Sequence, residues 1–192
     1  MRDHLNFLGA FVKRPFDTGA VAPSSARLAT RMTEGMGLAE ADTVVELGPG
    51  TGAFTRVIQG RLRPQARLLC LEINPELARV LTGRFPRAQV INDSAENLAQ
   101  HLEAVGGASA DSVISGLPWA AFSRERQERL LSAVVTALRP GGRFATFAYL
   151  HAAWLPPGRS FRRLLESRFP RVEISAVVWR NLPPAFVYRC QK

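Results

Sequence analysis

The sequence predicts an α/β fold: a mostly parallel, seven-stranded sheet that ends in an antiparallel hairpin, with helices on both faces and an amphipathic helix at the amino terminus. Three observations carry this. Short apolar runs alternate with helical segments along most of the chain, the pattern of crossover-connected parallel strands. The first run ends in an acid and a glycine-punctuated turn, Glu46-Leu47-Gly48-Pro49-Gly50-Thr51-Gly52. The last two runs are joined only by Arg180-Asn181-Leu182-Pro183-Pro184, too short for a crossover helix, so these strands must be antiparallel.

In order, helices are expected near 3–13 and 24–36, then a strand at 43–47. Helices near 52–61, 75–84, 95–103, 123–138 and 159–168 then alternate with strands near 67–72, 88–92, 111–115 and 142–148. The closing hairpin takes 171–179 and 185–190. Asn74-Pro75-Glu76 starts its helix with proline where a missing N–H costs nothing.

Ligands of open α/β sheets bind outside the carboxyl ends of the strands, so the chemistry is expected at those ends. Gly48, Gly50 and Gly52 let the backbone turn sharply and approach a ligand. Glu46, two residues before the first glycine, suits a cationic ligand better than a pyrophosphate. A dinucleotide fingerprint remains the alternative, with Ala53 as its third small residue. Glu72 ends the second strand, where a carboxylate accepts from the two ribose hydroxyls of any adenosine ligand. The third ends in Asp93-Ser94-Ala95-Glu96, which suits either the adenine amine or helix capping by Asp93 or Ser94. A plain dinucleotide domain would continue with another crossover, and the terminal hairpin argues against it.

After the fourth strand comes Ser115-Gly116-Leu117-Pro118-Trp119, either an acceptor site or a tight turn with a buried tryptophan. At the acceptor site an aromatic holds a partly cationic nitrogen against its face. His151, after the fifth strand, is a candidate base, although a lone histidine is more often structural. Leu5, Phe7, Leu8, Phe11 and Val12 fit one helical face of roughly 160° at 3.6 residues per turn. Lys13 and Arg14 beside that stripe suit a helix in an anionic membrane interface; docking on the protein's own core is the bland alternative. A second basic-aromatic stretch, His151, Trp154, Arg159, Phe161, Arg162, Arg163 and Arg168, lies between strands five and six.

The net charge is +9, from 25 Lys+Arg against 16 Asp+Glu, and only Lys13 and Lys192 are lysine. Such an excess favours phosphate-bearing partners, nucleic acid or an anionic lipid surface, though arginine-favouring base composition has the same result. No secretory signal or membrane-spanning run is evident. Cys70 and Cys190 have neither disulfide nor metal spacing, which suggests a reducing compartment. His4, His101 and His151 are scattered, so no metal is expected.

Taken together, these residues resemble the bacterial phospholipid N-methyltransferases, S-adenosylmethionine-dependent enzymes with a Rossmann-like fold that convert phosphatidylethanolamine to phosphatidylcholine. The first motif, Glu46 to Gly52, is shared by many methyltransferases. Gly19-Ala20-Val21-Ala22-Pro23-Ser24-Ser25, Ser115-Gly116-Leu117-Pro118 and Asn181-Leu182-Pro183-Pro184-Ala185 are together more specific. Ornithine-lipid N-methyltransferases and rRNA adenine dimethyltransferases look similar too; the latter should show Asn-Leu-Pro-Tyr where this chain has Gly116-Leu117-Pro118-Trp119.

The resemblance implies a membrane-binding segment over 1–22 and a methyltransferase domain over 23–192. It implies S-adenosylmethionine as donor, S-adenosylhomocysteine as product, and a cytoplasmic enzyme held peripherally on the inner membrane. Gly48, Gly50 and Gly52 then shape the donor pocket, and Glu46 fixes the methionine end. Glu72 binds the ribose and Asp93 the adenine amine, with Ile73, Ser94 and Ala95 around the ring. Ser115, Gly116 and Leu117 border the acceptor nitrogen, and Arg180 neutralises the lipid phosphate. The roof over the cation falls to Trp119, Phe16 or Tyr149. Phosphatidylethanolamine and anionic membrane lipids are the expected partners, with Leu5, Leu8, Phe11, Lys13 and Arg14 in the membrane; neither nucleic acid nor an obligate protein partner is expected.

Overall fold

The computed structural model describes residues 25–106 and 109–192. Seven strands form one sheet: β1 (Thr43–Leu47), β2 (Arg67–Leu71), β3 (Gln89–Ile91), β4 (Ala110–Ser115), β5 (Leu138–Tyr149), β6 (Arg171–Ile174) and β7 (Ala185–Gln191). Their order is β3-β2-β1-β4-β5-β7-β6. Every pair from β3 to β5 is parallel, and β7 is antiparallel to both β5 and β6. The order reverses between β1 and β4, which makes their carboxyl ends the switch point of the sheet.

The hairpin has a feature that joint length alone does not determine. β7 lies between β5 and β6, so β6 is the edge strand. β6 is also shorter than the expected 171–179. Beyond Ile174 the Ser175 hydroxyl takes the place of a ladder carbonyl, accepting the Val187 N–H at 3.0 Å. The chain rejoins β7 at a single Val178–Ala185 bridge. β5 begins before the expected 142, because Leu138 pairs with Ala110 across a register shift.

Among the described residues, seven α-helices cover the faces. Helices α1 (Ala26–Thr33), α2 (Ala53–Arg61) and α3 (Pro75–Arg84) pack Leu28, Met32, Phe54, Ile58 and Leu81 onto one side. On the other, α4 (Leu98–Ala104), α5 (Arg124–Ala137) and α7 (Pro156–Arg168) bring Leu102, Leu130, Val134, Phe161 and Leu165; the short α6 (Leu150–Ala153) follows β5. Side-chain caps explain three of the starts. Ser25 accepts from Leu28 N–H, Asn74 from Glu76 and Leu77 N–H with Pro75 following, and Ser123 from Arg126 N–H. The Lys192 ammonium closes the far end of α5 by donating to the Val135 and Leu138 carbonyls at 2.6 Å each. Along α7, Phe161, Leu164 and Leu165 turn inward while Arg162 and Arg163 stay outside.

Two segments distant in sequence meet at the hairpin. The Ser25 N–H donates to Asn181 Oδ1 at 3.0 Å, and Asn181 Nδ2 donates to the Pro183 carbonyl at 2.7 Å. Asn181 is buried and is spent on this tie. The β6–β7 connection lies at the carboxyl edge of the parallel strands, so the described chain begins at that edge. Among the described residues no helix is long and apolar enough to cross a membrane.

Candidate active site

The site is built where the loops after β1 and β4 touch. Gly116 donates its N–H to the Leu47 carbonyl at 2.8 Å, and Gly48 donates to Leu71 at 2.9 Å. A Cβ on Gly116 would lie 2.6 Å from the Gly48 carbonyl oxygen, and one on Gly48 2.7 Å from Leu117 Cδ2. Gly116 must be glycine for the loops to close together, because the atom in its way is backbone, whereas Gly48 is held to glycine by its φ of +64°. Gly50 is different: its φ is +57° and a Cβ there would meet nothing within 4 Å, so its turn leaves open room beside the loop. Gly52 caps α2 with φ +84° and no side-chain bond, which leaves the first-turn N–H groups of Ala53 and Phe54 without a capping side chain, while Thr55 faces Glu46.

Two acids hold this loop. Glu72 is buried; its Oε2 accepts the Gly50 N–H at 3.1 Å and its Oε1 the Asn74 N–H at 2.9 Å. Each oxygen keeps a second lone pair for a hydroxyl donor. Glu46 is fully buried beneath the loop. Its Oε2 takes the Cys70 thiol at 3.6 Å, and its Oε1 has no partner of hydrogen-bonding geometry. Burial pushes its carboxyl up to about 7, opposed by Thr55 and Cys70 alongside and reinforced by Glu72. The buried Thr55 hydroxyl alongside is likewise without a partner of bonding geometry and is a donor at hand for this carboxyl.

Past β2 and β3 a cleft gathers Gly48, Glu72, Ile73, Asp93, Ser94 and Ala95, with Leu117 reaching in from the β4 loop. Asp93 is already engaged. It accepts from Ser94 N–H at 2.7 Å and from Asn97 Nδ2 at 3.0 Å, and its Oδ2 lies 2.7 Å from His101 Nε2. Asn97, His101 and the Ser94 N–H hold its carboxyl down at about 2. An adenine amine must therefore share the carboxylate with Asn97 and His101. Ser94 caps the following turn through Glu96 N–H, so the capping role weighed for this segment is present. Phe122 and Arg126 line the same cleft, the guanidinium 4.5 Å from the ring centroid, and sequence reasoning did not single them out. Their place just after the β4 loop was the available signal.

The acceptor side departs from expectation at Trp119. Its side chain is only 2% exposed, stacks on Phe161 at 4.7 Å and donates its indole N–H to Ser115 Oγ at 3.0 Å. The aromatic face of α7 draws it into the core, so it cannot roof an acceptor nitrogen. Ser115 is buried with it, its hydroxyl serving Trp119 and the Leu117 N–H and its carbonyl accepting from Thr146. Ser115 positions the loop from behind. A half-buried aromatic lies instead at the end of β5, where Tyr149 stacks on His151 with centroids 5.8 Å apart and touches Phe147 edge-on. Tyr149 is thus the described candidate for the roof. His151 is exposed beside it on α6, and Arg180 is exposed in the hairpin. Leu5, Leu8, Phe11, Lys13, Arg14 and Phe16 lie outside the described residues. Among the described residues no cluster of His, Cys, Asp or Glu is placed to hold a metal.

A parallel sheet with this reversal, a glycine loop over a buried acid, and a terminal antiparallel hairpin define the S-adenosylmethionine-dependent methyltransferases with a Rossmann-like fold. Residues 44–142 match the family described as a methyltransferase domain, and the chain belongs to it. Over 195 residues it is 36% identical to the ornithine lipid N-methyltransferase of Singulisphaera acidiphila, a match covering 100% of this chain and 97% of that one. A shorter match, 40% over 60 residues, covers 31% of this chain and 20% of the ribosomal RNA small subunit methyltransferase A of Acidobacterium capsulatum. Among solved structures, the N-methyltransferase NodS of Bradyrhizobium japonicum, in complex with S-adenosyl-L-homocysteine, superposes with a TM-score of 0.70 at 13% identity, covering 98% of each chain.

Proposed function

We propose that the protein methylates the headgroup amine of a membrane lipid, with an ornithine lipid the first acceptor to test and phosphatidylethanolamine the second. The sequence ranked them the other way; the full-length similarity to an ornithine lipid N-methyltransferase moves the support. One structural observation carries the lipid reading. Among the described residues, five of the seven large apolar side chains left in water lie along the carboxyl edge that holds the donor loops, the others being Val80 on α3 and Ile174 on β6. Trp154 is 75% exposed and Leu155 54% after β5; Trp179 is 68% and Leu182 71% in the hairpin; Ile73 follows β2. Tryptophan and leucine beside arginines, here Arg159 and Arg180, suit the interface of an anionic bilayer. The described chain also begins at this edge, where Ser25 is tied to Asn181. On this reading the enzyme works on the cytoplasmic face of the inner membrane.

S-adenosylmethionine supplies a methyl group on a sulfonium centre. The residues that fit it are those placed above: Glu46 and the open α2 terminus for the methionine end, Glu72 for the ribose, and Asp93 with Ile73 and Ala95 for the adenine. The acceptor amine must be neutral to react. The chain's contribution is then to orient it beside Gly116 and Leu117, exclude water, and favour the free base over the ammonium. Tyr149 presents an aromatic face for the charge that develops on nitrogen.

The test is methyl transfer from labelled donor to vesicles carrying ornithine lipid or phosphatidylethanolamine, with RNA in parallel. Label in ornithine lipid is expected. Label only in RNA would overturn the acceptor and leave the donor site in place.

A further inference from the structure

A second cavity, of about 470 Å³, lies on the α7 side of the sheet, apart from the donor cleft. Its size falls within the range of roughly 300–1,000 Å³ usual for small-molecule sites. The floor is sheet. Phe186 and Tyr188 project from β7, and Ile174, the register partner of Tyr188, continues the surface onto the edge strand. α7 lies over β7, where Phe161 meets Tyr188 edge-on, and leaves Ile174 46% exposed, although Val172 on the same strand is packed against the core. Leu150, Ala153 and Trp154 close the end at the carboxyl edge of the sheet. The close seating of α7 on α6 depends on Gly158, whose position has no space for a Cβ against the Ala152 carbonyl.

The remaining wall is cationic. Arg159, Arg162, Arg163 and Glu166 fall at i, i+3, i+4 and i+7 along α7, all lining the cavity. Arg162 pairs with Glu166 at 2.8 Å; Arg159 and Arg163 have no ion pair among the described residues. The wall thus carries three cations against one anion over an apolar floor. A polynucleotide would use the cations and leave Phe186, Ile174 and Trp154 without a partner. A single hydrocarbon chain ending in an anionic headgroup uses both.

Building on the lipid reading above, we infer that this groove is a chain-binding subsite: it takes one acyl chain of the acceptor lipid, with Arg159 and Arg163 set against the anionic group of the same molecule. Leu150 follows directly on β5 and Phe186 is the second residue of β7, so the groove reaches the edge at which the donor loops turn. A lipid seated there keeps its tail on the β5–β7–β6 half of the molecule and offers its headgroup to the β1–β4 half. An ornithine headgroup presents a carboxylate to the arginines, and phosphatidylethanolamine a phosphate.

The test uses the full chain saturated with S-adenosylhomocysteine, with monomeric 11-bromoundecanoic acid as probe, because bromine on the chain quenches a tryptophan it touches. Saturable quenching is expected in the native protein and lost in Trp154→Phe. Ala153→Phe, which fills the groove, and the surface double variant Arg159→Glu/Arg163→Glu should each weaken it about tenfold or more, equivalent to about 1.4 kcal/mol. In both, the S-adenosylhomocysteine affinity should stay unchanged, which reports an intact fold. In methyl transfer, Ala153→Phe should raise KM for the long-chain lipid and spare kcat. Quenching that is absent, that survives Ala153→Phe, or that arises only after removal of residues 1–24 would overturn the subsite. Lipid methylation indifferent to Ala153→Phe would also overturn it and leave the lipid acceptor standing. Chain binding with methyl transfer to RNA alone would overturn the lipid acceptor instead.

Discussion

Glu46 couples the donor site to the stability of the fold. In the unfolded chain its carboxyl titrates near the ordinary 4.5; in the native protein burial raises it to about 7. Between those values the folded state holds a proton that the unfolded state has lost. Stability therefore falls as pH rises from about 4.5 to 7 and is flat above, with a total cost on the order of 3 kcal/mol. A ligand ammonium against Glu46 lowers its pKa again, so donor binding should release a proton and tighten as pH rises from 6 to 8. Glu46→Gln is expected to melt higher than the native protein at pH 8 and to bind S-adenosylhomocysteine more weakly, without the pH slope. Thermal melts and calorimetric titrations at pH 6 and 8 check both. An identical slope in the two proteins would place the cation elsewhere. Ser115→Ala tests the other buried polar pair. It strands the Trp119 indole N–H, so urea midpoints should fall by an amount equivalent to about 1–3 kcal/mol, while donor affinity changes little.

At the scale of elements, the tie between Ser25 and Asn181 joins the start of α1 to the β6–β7 connection. Removing it by Asn181→Ala leaves the Ser25 N–H and the Pro183 carbonyl without their partner. The expected loss is about 1–3 kcal/mol. Hydrogen exchange should quicken in α1 and at residues 178–184 while β1, β2 and β4 stay protected; uniform acceleration across the sheet would show the tie to be global rather than local. This contact also shows what was legible beforehand. Apolar runs marked the central strands β1, β2 and β4, because burial on both faces writes near-continuous hydrophobic runs, and acids marked the ends of the first three strands. The short joint established that β6 and β7 are antiparallel. It carried no information on which of them would sit beside β5, since a hairpin can dock by either strand. Trp119 was ambiguous for a related reason: its partner Phe161 lies 42 residues on in another element, and only the packing of α7 chooses between core and site. The donor residues were readable because they are consecutive with strand ends; the groove under α7 was not, because it is an absence of cover over β6.

For the molecule as a whole, apolar exposure and positive charge meet on one edge. Trp154, Leu155, Trp179 and Leu182 share the rim with Arg159 and Arg180, and the described chain begins there at Ser25. On the proposed lipid reading, a net charge of +9 would draw the protein to an anionic surface, and the apolar rim would convert that attraction into insertion. The two contributions separate by salt. Screening shortens to about 3 Å at 1 M, so an attachment that is purely electrostatic is lost there, whereas inserted tryptophan is retained. Flotation with vesicles containing anionic lipid should therefore recover the native protein at low salt and part of it at 1 M. Deleting residues 1–14 should lower recovery and spare S-adenosylhomocysteine affinity; loss of both would assign that segment to the core instead. Trp154→Ser/Trp179→Ser, in the full chain, should remove the fraction that resists salt and keep the fraction that does not. If the double variant floats like the native protein at 1 M, the rim does not insert, and residues 1–14 alone hold the enzyme to its substrate surface.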